Sequence, residues 1–416
     1  MIKTEAYNES TQFLGLTTKN GFKAGKLYTQ KPLSAADAFV VDRNLAAYRI
    51  NQSGVLELMA ANVPRVDYKN GCPEILIENQ STNRILRSEE FNTTAWSNRF
   101  GLSISANAIN APNDTLTADR VIENSANSDH YFNQEVSVTT GTTYTMSLFI
   151  KNNGRRYCYL LDGYTGNGRF FDIQEGLVLG NFIGSSVGNI ESLSNGWYRI
   201  SVTVTSSGSL MSFYFGLSNN GTSLVYTGDG TSGFYIWGSQ LEQSSFASSY
   251  IPTTTTIVTR PPDIIENNTI NYDINQGTIF VRARLDFSTD VRGIITLYDG
   301  GPFESYITIY SEIIGGVRKI VFQTYTDPDE NKYELTVPSN GIYNMAFAYD
   351  LTANTYAIAV NGNIEFSGTF AISPPTSSEL TTLTLGRIGS FYDARVIGSM
   401  FFDSKLDNTS LENLTA

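Results

Sequence analysis

At 416 residues the chain exceeds what one hydrophobic core organises, so more than one domain is expected. Its 40 acidic and 28 basic side chains leave a formal charge of −12, which repels phosphate backbones and argues against nucleic-acid binding as a main role. Only 16% of residues are charged, while 24 Tyr, 24 Phe and 35 Gly favour twisted sheets joined by tight turns over helices, so the chain reads as all-β.

No apolar run approaches the roughly 20 residues of a membrane span, so no membrane insertion is expected. The opening Met1-Ile-Lys-Thr-Glu-Ala-Tyr7 lacks the apolar stretch of a secretory signal. Cys72 and Cys158 fall in different candidate domains and read as free structural thiols.

In chain order, residues 1–37 are weakly patterned, with Gly15, Gly21 and Gly25 interrupting any helix, and read as an N-terminal attachment segment ordered by a partner. Residues 38–85 read as a small β-collar. Within it Ala46–Ile50 and Val55–Met59 flank the turn Asn51-Gln-Ser-Gly54, and Glu74–Glu78 forms a further strand.

Residues 86–252 alternate strands with Asn/Gly/Ser/Thr turns. Thr143–Lys151, Arg156–Leu161, Trp197–Val204, Met211–Gly216 and Gly233–Trp237 are the clear strands, a pattern that predicts a β-sandwich. In the last, Phe234, Ile236 and Gly238 fall on one face and Tyr235 and Trp237 on the other. Residues 253–267 form a Thr/Pro linker stiffened by Pro261 and Pro262.

Residues 268–416 form a second sandwich, with Asn361-Gly362 as a type I′ hairpin turn and a short helix near Leu406–Leu414.

His130 is the only histidine, with no Ser or Cys nucleophile in a recognisable triad, so it reads as structural. Glycoside hydrolysis needs two carboxylates facing each other across a sugar. Glu89 and Glu90 are adjacent and would point to opposite faces of an extended segment, so no catalytic pair is named and the chain reads as a non-enzyme. Asp327, Asp329 and Glu330 share one turn that hard calcium could use, although an acidic β-turn is the better reading of them. A structural calcium is the only cofactor left open.

Sugar rings stack on exposed aromatic faces while Asn, Asp, Gln and Arg bond their hydroxyls. Tyr157, Tyr159, Tyr164 and Arg169 are the candidates in the first sandwich, with Tyr298, Tyr306, Arg387 and Tyr392 in the second. The competing reading of alternate aromatics on a strand is core packing.

Two phrases resemble a known module. Val63-Pro-Arg-Val-Asp-Tyr-Lys-Asn-Gly-Cys-Pro-Glu-Ile-Leu-Ile-Glu-Asn-Gln-Ser-Thr-Asn83, then Arg87-Ser-Glu-Glu-Phe-Asn-Thr-Thr-Ala-Trp96, is similar to the run that leads into a carbohydrate-binding-module-like jelly roll of bacteriophage fibre proteins. Phe234-Tyr-Ile-Trp-Gly-Ser-Gln-Leu-Glu242, continuing to Tyr250-Ile-Pro252 and Thr259-Arg-Pro-Pro-Asp263, is similar to its close. The order of strands after residue 268 resembles a concanavalin-like (laminin-G-like) sandwich.

The resemblance implies an N-terminal docking segment followed by tandem jelly-roll and concanavalin-like sandwiches. It implies a virion fibre or decoration protein of head or tail that assembles as a homotrimer, meets other virion proteins through residues 1–37 and adheres to host-surface polysaccharide. In many such modules an acidic residue on the last strand binds calcium, whereas Trp237-Gly-Ser-Gln240 offers no carboxylate. A ligand-free cement protein and a polysaccharide depolymerase are the alternatives.

Overall fold

The computed structural model describes residues 12–15, 22–23, 26–27, 39–96, 98–181, 184–268, 274–286, 291–301, 304–376, 380–388 and 391–416. Strands dominate, a single α-helix lies at Asn408–Thr415 among these residues, and the chain is all-β as its composition requires. It divides into two compact units: residues 47–58 with 81–260, and residues 59–80 with 261–416 and the described residues up to 46.

The first unit is a sandwich of two six-stranded antiparallel sheets. One sheet runs Asn98–Phe100, Tyr131–Ser137, Leu210–Ser218, Tyr157–Asp162, Gly168–Asp172, Leu177–Asn181. The other runs Leu102–Ile109, Ala118–Glu123, Gly233–Glu242, Thr143–Asn153, Trp197–Thr205, Val187–Ser192. Every second residue of the central strands enters the core, among them Phe132, Met146, Leu148, Leu160, Phe213 and Phe215.

The phrase Arg87–Trp96 plugs this core. Phe91 and Trp96 pack 5.1 Å apart, and the indole Nε1 donates to the Arg87 carbonyl at 3.0 Å. Ser88 hydrogen-bonds the Tyr250 hydroxyl at 2.7 Å, so the opening and closing phrases of the first sandwich meet in space.

Gly238 sits at φ +62°, where a Cβ would stand 2.8 Å from the Phe149 ring. The strand bulges there, with the register shifting between Ser147 and Phe149. Phe234 and Ile236 face the core and Trp237 the other side, as alternation requires. Beyond the bulge the phase flips and Leu241 takes the inward position.

The second unit packs an eight-stranded sheet against a nine-stranded one. Ile279, Val281, Ile307, Phe322, Phe347 and Leu383 lie in its core. Asn361 and Gly362 both take positive φ (48° and 85°), as a type I′ turn demands. The helix Asn408–Thr415 is capped by Asp407, which accepts from Ser410 N at 2.7 Å, and it buries Leu411 against Phe280, Met400 and Phe402.

Residues 38–85 do not stand apart as a collar. Phe39–Asp42 pairs with Ile264–Asn267, and Arg65–Asp67 and Glu74–Ile77 extend the eight-stranded sheet, so these segments belong to the second unit. The hairpin Ala47–Ile50 and Leu56–Met59 lies over the first unit instead. Alternation reveals that a segment is a strand but not which edge it joins.

The expected linker 253–267 is likewise structured: Val258–Arg260 pairs with Ser81–Asn83, and Ile264–Asn267 pairs with Thr382–Leu385. Of residues 1–37, most lie outside the described residues, while Gln12–Gly15 runs alongside Ala394–Phe402.

Candidate functional site

A sandwich has two outer faces, and in the first unit they differ. Over the sheet containing Gly233–Glu242, the hairpin at 47–59 lays Tyr48 and Leu56 onto Phe149, Trp197, Trp237 and Tyr250, closing that face with apolar contacts. The outer face of the opposite sheet carries aromatic and polar side chains around a cavity of about 360 Å³. Its lining is Arg99, Phe100, Tyr131, Asn133, Glu135, Gly163, Tyr164, Ser212 and Tyr214.

Alternation builds this surface. On Tyr131–Ser137 the inward positions are Phe132 and Val136, so Tyr131, Asn133 and Glu135 share the outer face. On Leu210–Ser218 the inward Met211, Phe213, Phe215 and Leu217 leave Ser212, Tyr214 and Gly216 outside. Register aligns them in rows: Tyr131 opposite Gly216, Asn133 opposite Tyr214, and Glu135 opposite Ser212.

Gly216 has a specific purpose. A Cβ there would lie 2.1 Å from the Tyr159 ring and hydroxyl, so the absent side chain lets Tyr159 lie across the strand.

The aromatic rings are held parallel. Tyr131 stacks on Tyr214 with centroids 4.2 Å apart and planes at 19°, and Phe100 stacks on Tyr131 at 6.1 Å and 25°. Tyr214 is also nearly parallel to Tyr159, at 6.1 Å and 23°. Asp129 fixes this row by accepting from both phenols, Tyr159 at 2.5 Å and Tyr214 at 2.9 Å. Burial, reinforced by the neighbouring Asp129 carboxylate, raises both phenol pKa values well above 10, so both remain donors at neutral pH.

Polar groups complete the cavity. Asn133, only 9% exposed, donates from Nδ2 to Ser212 Oγ at 2.7 Å, and its Oδ1 has no partner. Glu135 accepts from the Tyr164 hydroxyl at 2.7 Å, a bond that raises the Tyr164 pKa. Arg99 donates from Nε to the Trp96 carbonyl at 2.7 Å and from Nη2 to those of Asn92 and Thr93 at 3.1 and 3.0 Å.

Of the residues singled out from sequence, Tyr164 lines this cavity and is 53% exposed. Tyr159 is fully buried beneath the row, so it supports Tyr214 and offers no stacking face of its own. Tyr157 is half-buried under the Arg156 guanidinium, 5.1 Å from its ring, and Arg169 is tied through Nε to the Ser186 carbonyl at 3.2 Å. Neither Tyr157 nor Arg169 lines the cavity.

In the second unit Tyr298 and Tyr306 are paired across adjacent strands, and Arg387 Nη1 reaches the Tyr298 hydroxyl at 2.9 Å. Tyr298 is 2% exposed and donates to Glu266 at 2.9 Å, which makes this a packed network and not an open platform. Tyr306 stacks on Tyr325 at 5.0 Å. The Tyr392 side chain lies outside those described.

Asp327, Asp329 and Glu330 do not converge. Asp327 accepts from Tyr325 at 3.0 Å, Glu330 accepts from Gln323, and Asp329 and Glu330 point to opposite faces as strand neighbours. Among the described residues no three His, Cys, Asp or Glu side chains come together in a way that could hold a metal. His130 is fully buried, with its ring nitrogens near the carbonyls of Gly101 (3.0 Å) and Tyr226 (3.4 Å).

The cavity residues that sequence reading missed are Arg99, Phe100, Tyr131, Asn133, Glu135, Ser212 and Tyr214. The available signal was a period-two alternation whose outward set mixes aromatic with amide, hydroxyl and carboxylate groups.

No protein-family model matches this sequence, and no curated protein does. Among solved structures the chain is similar to the CBM40 domain of the Ruminococcus gnavus IT-sialidase bound to α2,3-sialyllactose, at 14% identity and TM-score 0.30, over 35% of this chain and 91% of that one. It is similar to a heptameric SAP-like pentraxin from Limulus polyphemus at 9% identity and TM-score 0.28, over 34% and 70% of the two chains. Domains LG4-5 of the mouse laminin α1 chain give 10% identity and TM-score 0.22, over 68% and 92%. At these scores none of the likenesses assigns a ligand or an activity.

Proposed function

We propose that the first unit binds glycan chains in the cavity at Tyr131 and Tyr214, and that the protein is a non-enzymatic adhesin. The observation that carries this reading is the part of that outer face left open at the cavity. A cavity of about 360 Å³ is bordered by the stacked Phe100, Tyr131 and Tyr214 rings, of which Phe100 is 53% exposed, and lined by amide, hydroxyl and carboxylate groups, a combination suited to a sugar. Glu135 is the carboxylate among the lining residues, whereas glycoside hydrolysis uses a facing pair, which favours binding over cleavage.

The finer reading is a bacteriophage fibre or decoration protein, homotrimeric, docked to other virion proteins through residues 1–37 and presenting its sandwiches to bacterial surface polysaccharide. It is supported by the phrases at 63–96 and 234–263, which resemble those of phage fibre proteins.

The test is binding of the full chain to a glycan panel and to intact bacterial cells, with reducing-end release measured in parallel. Saturable binding without release, lost in Tyr131→Ala and kept in Arg387→Ala, is the expected result. Sugar release would make the protein a depolymerase. No binding to any glycan or cell would leave a purely structural cement role.

A further inference from the structure

We propose that this cavity selects sugar units that bring hydroxyl donors and no negative charge, with Glu135 and Asn133 setting that preference. The inference rests on the glycan-binding reading and goes on to assign the ligand's charge class.

The floor presents acceptors. Asn133, which lines the cavity, gives one Nδ2 proton to Ser212, and its Oδ1 is buried without a donor. A buried acceptor left unpaired is costly, so a hydroxyl delivered there is rewarded. Glu135 lies two residues along on the same face, and one of its oxygens, Oε1, accepts from Tyr164. Its carboxylate retains acceptor positions toward the opening, where the residue is exposed.

Arg99, the only cation among the described lining residues, keeps its charge but cannot offer a carboxylate a two-pronged grip. Both forks through which a guanidinium grips a carboxylate use a proton of Nη2. In Arg99 the two Nη2 protons go to the carbonyls of Asn92 and Thr93, and Nε goes to Trp96. A uronic or sialic carboxylate entering the cavity would therefore meet Glu135 without a two-pronged partner, an arrangement that discriminates by repulsion.

The experiment compares matched neutral and carboxylated oligosaccharides, lactose against sialyllactose and a neutral hexose oligomer against its uronic counterpart, on the full chain and on Glu135→Gln. Neutral sugars are expected to bind in preference to acidic ones. The neutral-to-acidic affinity ratio should fall about fivefold to tenfold in Glu135→Gln, the range expected for one exposed charge at close approach. The wild-type ratio should also shrink as salt is raised.

Preferential binding of acidic sugars, lost in Tyr131→Ala, would overturn this inference while leaving the adhesin reading intact. A ratio unchanged in Glu135→Gln would also overturn it. Absence of binding to every sugar overturns both.

Discussion

Arg65 and Asp263, 198 residues apart in the chain, form an ion pair in the interior of the second unit. Both side chains are essentially inaccessible, and Asp263 also takes Arg43 at 2.8 Å while Arg65 takes Glu78 at 2.7 Å. Removing one partner of such a network leaves an uncompensated buried charge. Asp263→Ala, which takes a carboxylate from both Arg43 and Arg65, is expected to destabilise this unit by about 3–5 kcal/mol in denaturant titration. A loss below about 1 kcal/mol would mean that water or another carboxylate compensates.

The same pair marks the limit of what is legible in the sequence. Arg65 and Asp263 both lie in phrases that stand out in the bare chain, Val63–Asn83 and Thr259–Asp263. Their partnership does not, because nothing local links residue 65 to residue 263, and segment 38–85 reads as a unit of its own. Strands are legible wherever apolar and polar residues alternate, as in Thr143–Asn153, while sheet membership is set by long-range packing.

The cavity is legible only in part. Tyr164 stands out as one of several aromatics in the 155–172 stretch, but Tyr159 in the same stretch is buried because Gly216 makes room for it. Asn133 and Glu135 look like ordinary strand polars until register sets them beside Tyr214 and Ser212.

Gly216→Ala tests how far the cavity depends on the packing beneath it. The new methyl would meet the Tyr159 ring at 2.1 Å, and Tyr159 can yield only by breaking its bond to Asp129 and displacing Tyr214. Overpacking of this kind costs about 1–3 kcal/mol, and glycan affinity should fall together with stability. Thermal melting and glycan titration on the same preparation check both. Unchanged melting would show that Tyr159 has another place to go.

Asp119 gives the first unit an unusual pH dependence. Burial raises its pKa to about 6, even though its carboxylate accepts backbone N–H bonds from Phe91 and Asn107 at 3.0 Å each, which pull the other way. An unfolded Asp titrates near 3.9, so between about pH 4 and 6 the folded state holds a proton that the unfolded state has released. Stability should therefore fall as pH rises through that window and level off above it, by on the order of 1–3 kcal/mol.

Glu89, also raised by burial, acts in the same direction, whereas the lowered Asp172 and Asp229 act below about pH 4. Urea unfolding followed by tryptophan fluorescence at pH 4.5, 5.5, 6.5 and 7.5 measures the slope. Stability that rises across this range would refute the assignment.

Tyr214 combines two roles that substitution can separate. Its ring stacks on Tyr131, and its hydroxyl donates to Asp129, which also holds Tyr159. Tyr214→Phe keeps the ring and removes one bond to a buried-side carboxylate, so about 1.5–3 kcal/mol of stability should be lost with the larger part of glycan affinity retained. Tyr214→Ala also removes the ring on which Tyr131 packs, and affinity should fall well below that of the Phe variant. If both variants lose affinity equally, the sugar is held through the Asp129-anchored hydroxyl and not through the ring. The parallel stack of Phe100, Tyr131 and Tyr214 would then serve to stiffen the sheet.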